Sequence, residues 1–147
     1  MKTAAAQFAE FLSKYTPEIA AQAKRAIAKM RARLPGSVEM VYDNYNALVI
    51  GFGPTESASD AVVSLALYPR WITLFFLEGV ALSDPLGVLS GSGKYVRQYR
   101  LKDPSDLDRP EIRELVAQAR ARSTSWQKGA KRRMVIKSVS KKQRPRR

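Results

Sequence analysis

The chain has 147 residues, of which 45% are apolar, and this is enough for one domain with a buried core. It contains no cysteine and no histidine, which excludes disulfides, Cys-ligated metal centres and every Ser-His or Cys-His nucleophile. The 26 Lys and Arg residues outnumber the 13 Asp and Glu residues, and most of the net charge of +13 lies in the last 25 positions.

Two amphipathic helices are predicted at the start of the chain. Residues 4–14 repeat apolar side chains at helical spacing. Thr16 can then serve as the N-cap of a second helix, with Pro17 in its first turn, and Pro35-Gly36 ends that helix. Its basic face is interpreted as solvated. Its apolar face consists of Ile19, Ala23, Ala26, Ile27, Met30 and Leu34.

After the second helix the apolar residues alternate with a period of two, which predicts strands over residues 38–43, 47–52, 61–68 and 71–77. Turn-forming residues separate these strands, and connections this short require antiparallel neighbours. The last of the four is apolar on both faces apart from Thr73, which is typical of a strand covered on two sides.

One more strand, Tyr95–Lys102, and a final helix that begins at Pro110 complete the predicted elements. Glu111 and Glu114 lie in the first turns of this helix, where the helix dipole favours them. The predicted fold class is therefore α+β. We expect an antiparallel sheet of about five strands, with two N-terminal helices and one C-terminal helix packed on it, plus a basic C-terminal tail.

Residues 1–122 are predicted to form the domain, and residues 123–147 a polybasic, flexible tail. The tail contains ten Lys and Arg residues and no acid, so it attracts polyanions such as nucleic acid. A disordered segment that only increases solubility is the alternative. The residues predicted to neutralise phosphates are Lys131, Arg132, Arg133, Lys141, Lys142, Arg144, Arg146 and Arg147.

Residues 87–94, Gly-Val-Leu-Ser-Gly-Ser-Gly-Lys, resemble a phosphate-binding loop only in part. Five residues separate Gly87 from Gly93, and Tyr95 follows Lys94, so the spacing fails and a tight turn is the main interpretation. We nevertheless predict that this loop borders a hollow for an anion or an unknown small ligand, built from glycine backbone, cations and aromatic walls. The candidate ligand-binding residues are Tyr42, Trp71, Gly91, Gly93, Lys94 and Arg97.

Aromatic residues are concentrated in the predicted sheet, where cross-strand packing is the main interpretation and a ligand site the alternative. These residues are Tyr42, Tyr45, Tyr68, Trp71, Tyr95 and Tyr99.

Several motifs in fixed order are similar to one family. They are the runs Tyr42–Pro54, Tyr68–Trp71, Phe75–Leu77, Asp84–Pro85 and Leu89–Arg97. With these motifs, residues 10–120 resemble the YdhG-like family, domain-of-unknown-function family 1801. The resemblance implies a small α+β domain with an antiparallel sheet, found mostly in uncharacterised bacterial proteins. It also implies a link to one branch described as a frataxin-like intracellular iron chaperone.

An iron-delivery site requires clustered carboxylates, whereas the acids of this chain are scattered among turns. We therefore predict a non-enzymatic small binding module, with a basic tail for contact with nucleic acid or another polyanion. The alternative is an intracellular iron-binding, chaperone-like protein. No cofactor, no metal site and no catalytic residue is predicted. The apolar region 61–82 is interrupted by charged residues, so we expect a soluble cytoplasmic protein without a membrane span.

Overall fold

The computed structural model describes all residues, 1–147, and contains three helices and six strands. The helices are α1 (Ala4–Leu12), α2 (Pro17–Arg33) and α3 (Pro110–Arg122). The strands are β1 (Val38–Asp43), β2 (Leu48–Gly53), β3 (Val63–Leu67), β4 (Ile72–Phe76), β5 (Arg97–Leu101) and β6 (Arg133–Val139). None of the three helices combines the length and the apolar composition that crossing a lipid bilayer requires.

The strands form one sheet in the order β5-β4-β3-β2-β1-β6. Strands β1 to β5 are an antiparallel meander, and β6 lies parallel to β1 at the edge. The α+β class is confirmed. The five predicted strands are present as antiparallel neighbours, but the expectation of a purely antiparallel sheet is wrong, because a sixth strand, β6, pairs parallel with β1. A parallel pair needs a long crossover, and here the whole meander and α3 lie between β1 and β6.

The helices pack on one face of this sheet. Alternate residues of the central strands, such as Ile50, Leu65 and Leu74, are fully buried against them. The predicted caps are present, since the Thr16 hydroxyl accepts a hydrogen bond from the Ile19 backbone and Pro17 opens α2. The opposite face of the sheet carries no helix. Strand β4 is nevertheless covered on both faces, as expected, since Thr73 on the side without helices is only 3% exposed and only Phe75 is partly exposed.

Tyr15, in the link between α1 and α2, fixes the helices to the sheet. It is 1% exposed, and its hydroxyl donates to the Leu67 carbonyl at 2.6 Å. The same oxygen accepts a hydrogen bond from the Leu48 backbone N–H at 3.1 Å. Burial of the phenol raises the pKa of Tyr15 above its ordinary value. One side chain thus ties together the ends of β2 and β3.

The segment that we expected to be flexible contains β6, which pairs with β1 from Val38 opposite Arg133 to Asp43 opposite Val139. A bulge interrupts this register after Val41. Met134 and Ile136 of β6 pack against the core. The expectation of a flexible tail is therefore wrong for this strand, and a domain boundary at residue 122 would divide the sheet.

Two buried acids on β1 hold the C-terminal segment in place. Glu39 is fully buried and receives two hydrogen bonds from Arg31 of α2, at 2.8 and 2.9 Å, and one from Arg132 at 3.0 Å. Asp43 is also fully buried, and Arg146 donates to it at 2.9 Å while Lys14 lies 3.4 Å away. Each acid thus joins the helix layer to the chain that follows α3.

Candidate nucleic-acid interface

The predicted hollow does not form, because its residues lie in three separate places. Tyr42 lies on β1 and Arg97 on β5, with three strands between them. Trp71 directly precedes β4, whereas Arg97 pairs with Phe76 at the opposite end of that strand. The meander order therefore separates both aromatic residues from the glycine loop.

The four remaining candidates, Gly91, Gly93, Lys94 and Arg97, stay together in and beside the loop that leads to β5. Arg97 closes this loop on itself, because its guanidinium donates to the carbonyls of Gly93 at 2.6 Å and Val96 at 2.7 Å. Lys94 lies over the neighbouring Tyr95 ring, 5.4 Å from its centroid. Gly91 has a φ of 126°, a conformation that the turn itself requires. These contacts agree with a tight turn, which was the main interpretation of residues 87–94 from the sequence.

The face of the sheet without helices, here called the open face, has a small-residue centre and larger side chains at its sides. The strand register places Tyr42, Val49 and Ala66 in one row, which continues to Thr73 and Arg100. The adjacent row consists of Met40, Gly51, Ser64, Phe75 and Gln98. The central positions carry Gly, Ser, Ala and Thr, and Met40, Ala66 and Thr73 are at most 3% exposed, so neighbouring side chains cover much of this face. None of the residues in these two rows is acidic.

A stack of three flat groups lies at one side of the open face. The rings of Tyr68 and Trp71 have centroids 5.1 Å apart and planes inclined by 24°. The guanidinium of Arg100 lies over Trp71, 4.0 Å from the ring centroid. Both aromatic residues are partly exposed and Arg100 is exposed. Cross-strand packing of Tyr68 against Trp71 is confirmed, and part of this stack is exposed to solvent.

The other aromatic residues diverge from this stack. Tyr95 is 57% exposed and lies at the far end of the sheet, before β5. Tyr99 packs against the helix side, where its hydroxyl donates to Asp106 at 3.0 Å. Burial and this hydrogen bond together raise the pKa of Tyr99. Tyr45 is 49% exposed in the turn after β1, with the Arg144 guanidinium 5.8 Å from its ring.

Exposed cations gather at the end of the sheet where β1, β3, β5 and β6 finish. We call this region the basic end, and its residues are Arg70, Arg100, Lys102, Lys141, Lys142 and Arg144, all exposed. The carboxylates at this end are already engaged. Asp43 is paired with Arg146, Asp103 with Arg25, and Asp106 accepts from Tyr99. Across six strands spaced about 4.8 Å apart, the basic end extends over roughly 24 Å.

The eight residues predicted to bind phosphates fall into two groups. Arg132, Arg133 and Arg146 already form ion pairs, with Glu39, Glu56 and Asp43 respectively. Arg146 is only 5% exposed, so it holds the fold and cannot reach a phosphate. The hydrogen bond from Arg133 holds the pKa of Glu56 below its usual value. The other five are exposed and form no ion pair, namely Lys131, Lys141, Lys142, Arg144 and Arg147.

Neither the acidic side chains nor the main cleft adds a chemical site to this region. No group of three or more Asp or Glu side chains is arranged to hold a metal ion. A cleft of about 210 Å³ lies at the end of α3, between Phe76, Leu82, Arg122 and Thr124. It is remote from the basic end, because Phe76 closes the opposite end of β4. The cleft therefore adds nothing to the candidate interface.

Comparisons with family models, with curated proteins and with solved structures found no match to this chain. The sequence reasoning found Tyr42 and Trp71 but joined them to the wrong loop. It missed Arg100, Arg70 and Lys102 altogether. The signal for Arg100 was its position in an alternating strand, on the face opposite Tyr99.

Proposed function

We propose that this protein is a non-enzymatic binding module whose basic end binds polyanions, nucleic acid in particular. The single observation that carries the proposal is the segregation of charge, with six exposed cations at one end of the sheet and every nearby carboxylate already engaged. On its motifs we assign the domain to the YdhG-like family, and we propose a cytoplasmic location.

The physical basis is counterion release. A cation that already faces a carboxylate has little to gain from a phosphate, whereas an unpaired surface lysine releases the counterions of the phosphate it neutralises. Lys141 and Lys142 meet this condition, since both are exposed and neither forms an ion pair. The iron-binding alternative has no comparable support, because the acids are spread out and several are paired with arginine.

The test is a titration of a labelled oligonucleotide, followed by fluorescence anisotropy at several salt concentrations. The double reversal Lys141→Glu with Lys142→Glu should lower the affinity at least tenfold at low salt. It should also reduce the slope of log affinity against log salt by about 1.5, since each contact contributes about 0.7 to 0.9.

A matched control distinguishes binding at a local site from attraction by the overall charge of the protein. Lys24 of α2 and Arg113 of α3 are exposed, form no ion pair and lie in the helix layer. Reversing both to Glu changes the net charge by the same amount. If the control loses as much affinity as the Lys141 and Lys142 variant, binding depends on net charge alone and the basic end is not the site. Binding that does not respond to salt would contradict the proposal outright.

A further inference from the structure

We infer that the preferred polyanion is single-stranded nucleic acid, with bases stacking on the open face and chiefly on Trp71. The inference rests on the proposed function, because the phosphates must be held at the basic end. It follows from the contact between an exposed cation and a partly exposed aromatic ring on the same surface, since Arg100 of the basic end lies directly on Trp71.

The Trp71 ring can become available to a base. One contact on it comes from Arg100, whose side chain is exposed and free to move into solvent. A cation–π contact at an exposed site is weaker than the stacking of a base on an aromatic ring. A base can therefore displace the guanidinium, which then lies beside the phosphate of the same nucleotide. Tyr68 supports the Trp71 ring from the neighbouring strand end.

The surface beside the stack lies between two sets of cations. The row that joins Tyr42 to Arg100 runs through Ala66 and Thr73, which are only 2% and 3% exposed, so further nucleotides would lie over this row and not in a groove. Tyr42, which is partly exposed, is the aromatic residue at the other side of this row. Beyond it lie the lysines that follow β6. A strand crossing this surface would thus pass from one set of cations to the other.

The same geometry disfavours duplex. In a duplex the faces of the bases are stacked on one another, so an exposed ring on a sheet surface has no base face to contact. The accessible polar groups that the strands of the open face offer to base edges are few, namely those of Tyr42, Ser64, Gln98 and Arg100, since Thr73 is only 3% exposed. We therefore expect strong salt dependence and little sequence preference.

Tryptophan fluorescence tests stacking directly. The chain has two tryptophans, and Trp126→Phe leaves Trp71 as the only one. This change loses no hydrogen bond, because the Trp126 Nε1 has no partner. In this background oligothymidine should quench the emission, whereas heparin, a polyanion without bases, and a duplex of equal phosphate content should not. Trp71→Leu should lower the affinity for oligothymidine by about 5- to 100-fold in anisotropy titrations.

Tyr95→Leu is the matched control, since Tyr95 is an exposed aromatic residue next to a lysine but lies at the far end of the sheet. It should leave the affinity unchanged, and Trp71→Phe should retain most of it. If oligothymidine binds without quenching and the Trp71 and Tyr95 variants behave alike, the inference fails while the proposed function stands. Equal binding of duplex and single strand also overturns it. If none of oligothymidine, heparin and duplex binds in a salt-dependent way, both the inference and the proposed function are overturned.

Discussion

The buried pair between Arg146 and Asp43 offers a sharp test of how the C-terminal segment is held. Arg146→Ala removes a guanidinium that donates to the Asp43 carboxylate at 2.9 Å, to the Asn44 carbonyl at 2.6 Å and to the Tyr45 carbonyl at 3.4 Å. The side chains of Arg146 and Asp43 are 3% and 1% exposed. The substitution therefore leaves a buried carboxylate without its main partner.

Loss of one member of a buried ion pair costs about 3 to 5 kcal/mol. Lys14, 3.4 Å from the same carboxylate and 46% exposed, can compensate in part, so we expect a loss of about 3 kcal/mol. If the free energy of unfolding falls by about 2 kcal/mol for each molar of urea, the urea concentration at the unfolding midpoint should fall by about 1.5 M. Equilibrium urea unfolding followed by circular dichroism measures this shift.

Arg144→Ala is the control, because Arg144 is exposed, forms no ion pair and lies two residues away. It should change the free energy of unfolding by less than about 0.5 kcal/mol. The double variant Asp43→Leu with Arg146→Met should regain much of the lost stability, since it removes both charges. If Arg146→Ala were no more destabilising than Arg144→Ala, the pair would not hold the segment to the sheet.

Other predictions concern Tyr15, Tyr99 and the glycine after α2. Tyr15→Phe should destabilise the protein by about 1 to 2 kcal/mol in urea unfolding, because it leaves buried backbone groups of β2 and β3 without a partner. The raised pKa values of Tyr15 and Tyr99 stabilise the fold below the ordinary tyrosine pKa, and this contribution is lost as the pH rises through their folded-state values. An ultraviolet titration in which either phenol ionised below the ordinary value would contradict this. Gly36→Ala should cost more than Gly87→Ala in thermal unfolding. Both glycines have positive φ, but only at Gly36 would the new Cβ lie 2.7 Å from a backbone oxygen of the segment leading to β6.

Much of the fold could be predicted from local patterns. The boundaries of α2 followed from Thr16, Pro17 and the break at Pro35, all of which act within a few residues of the chain. Strand β1 was predicted with its observed boundaries, and the meander followed from short turns. These features depend on neighbours in sequence, and a single sequence contains that information.

The sixth strand could not be recognised in the same way. Only Met134 and Ile136 of β6 pack against the core, and the basic residues around them gave the segment the composition of a tail. The buried state of Arg146 depends on Asp43, which lies on a strand far away in the chain. The candidate site was missed for a similar reason. Tyr42 and Trp71 were found, but only the strand order shows that Arg100 and not Arg97 is the neighbour of Trp71, and that three strands separate Tyr42 from either arginine.

The two acids of β1 have a further consequence for a chain in which β6 has not yet paired. Strand β1 then forms the border of the meander, with a row of free backbone N–H and C=O groups that could pair with another molecule. Glu39 and Asp43 point toward the core side of this border. Inward-pointing charges discourage intermolecular pairing, because burying them without a counterion is unfavourable. Arg31 of α2 already pairs with Glu39, but Asp43 gains its buried partner Arg146, and Glu39 its second arginine, only when the segment around β6 of the same chain occupies this edge. The two carboxylates therefore favour pairing of β1 with β6 of the same chain over pairing of β1 with another molecule.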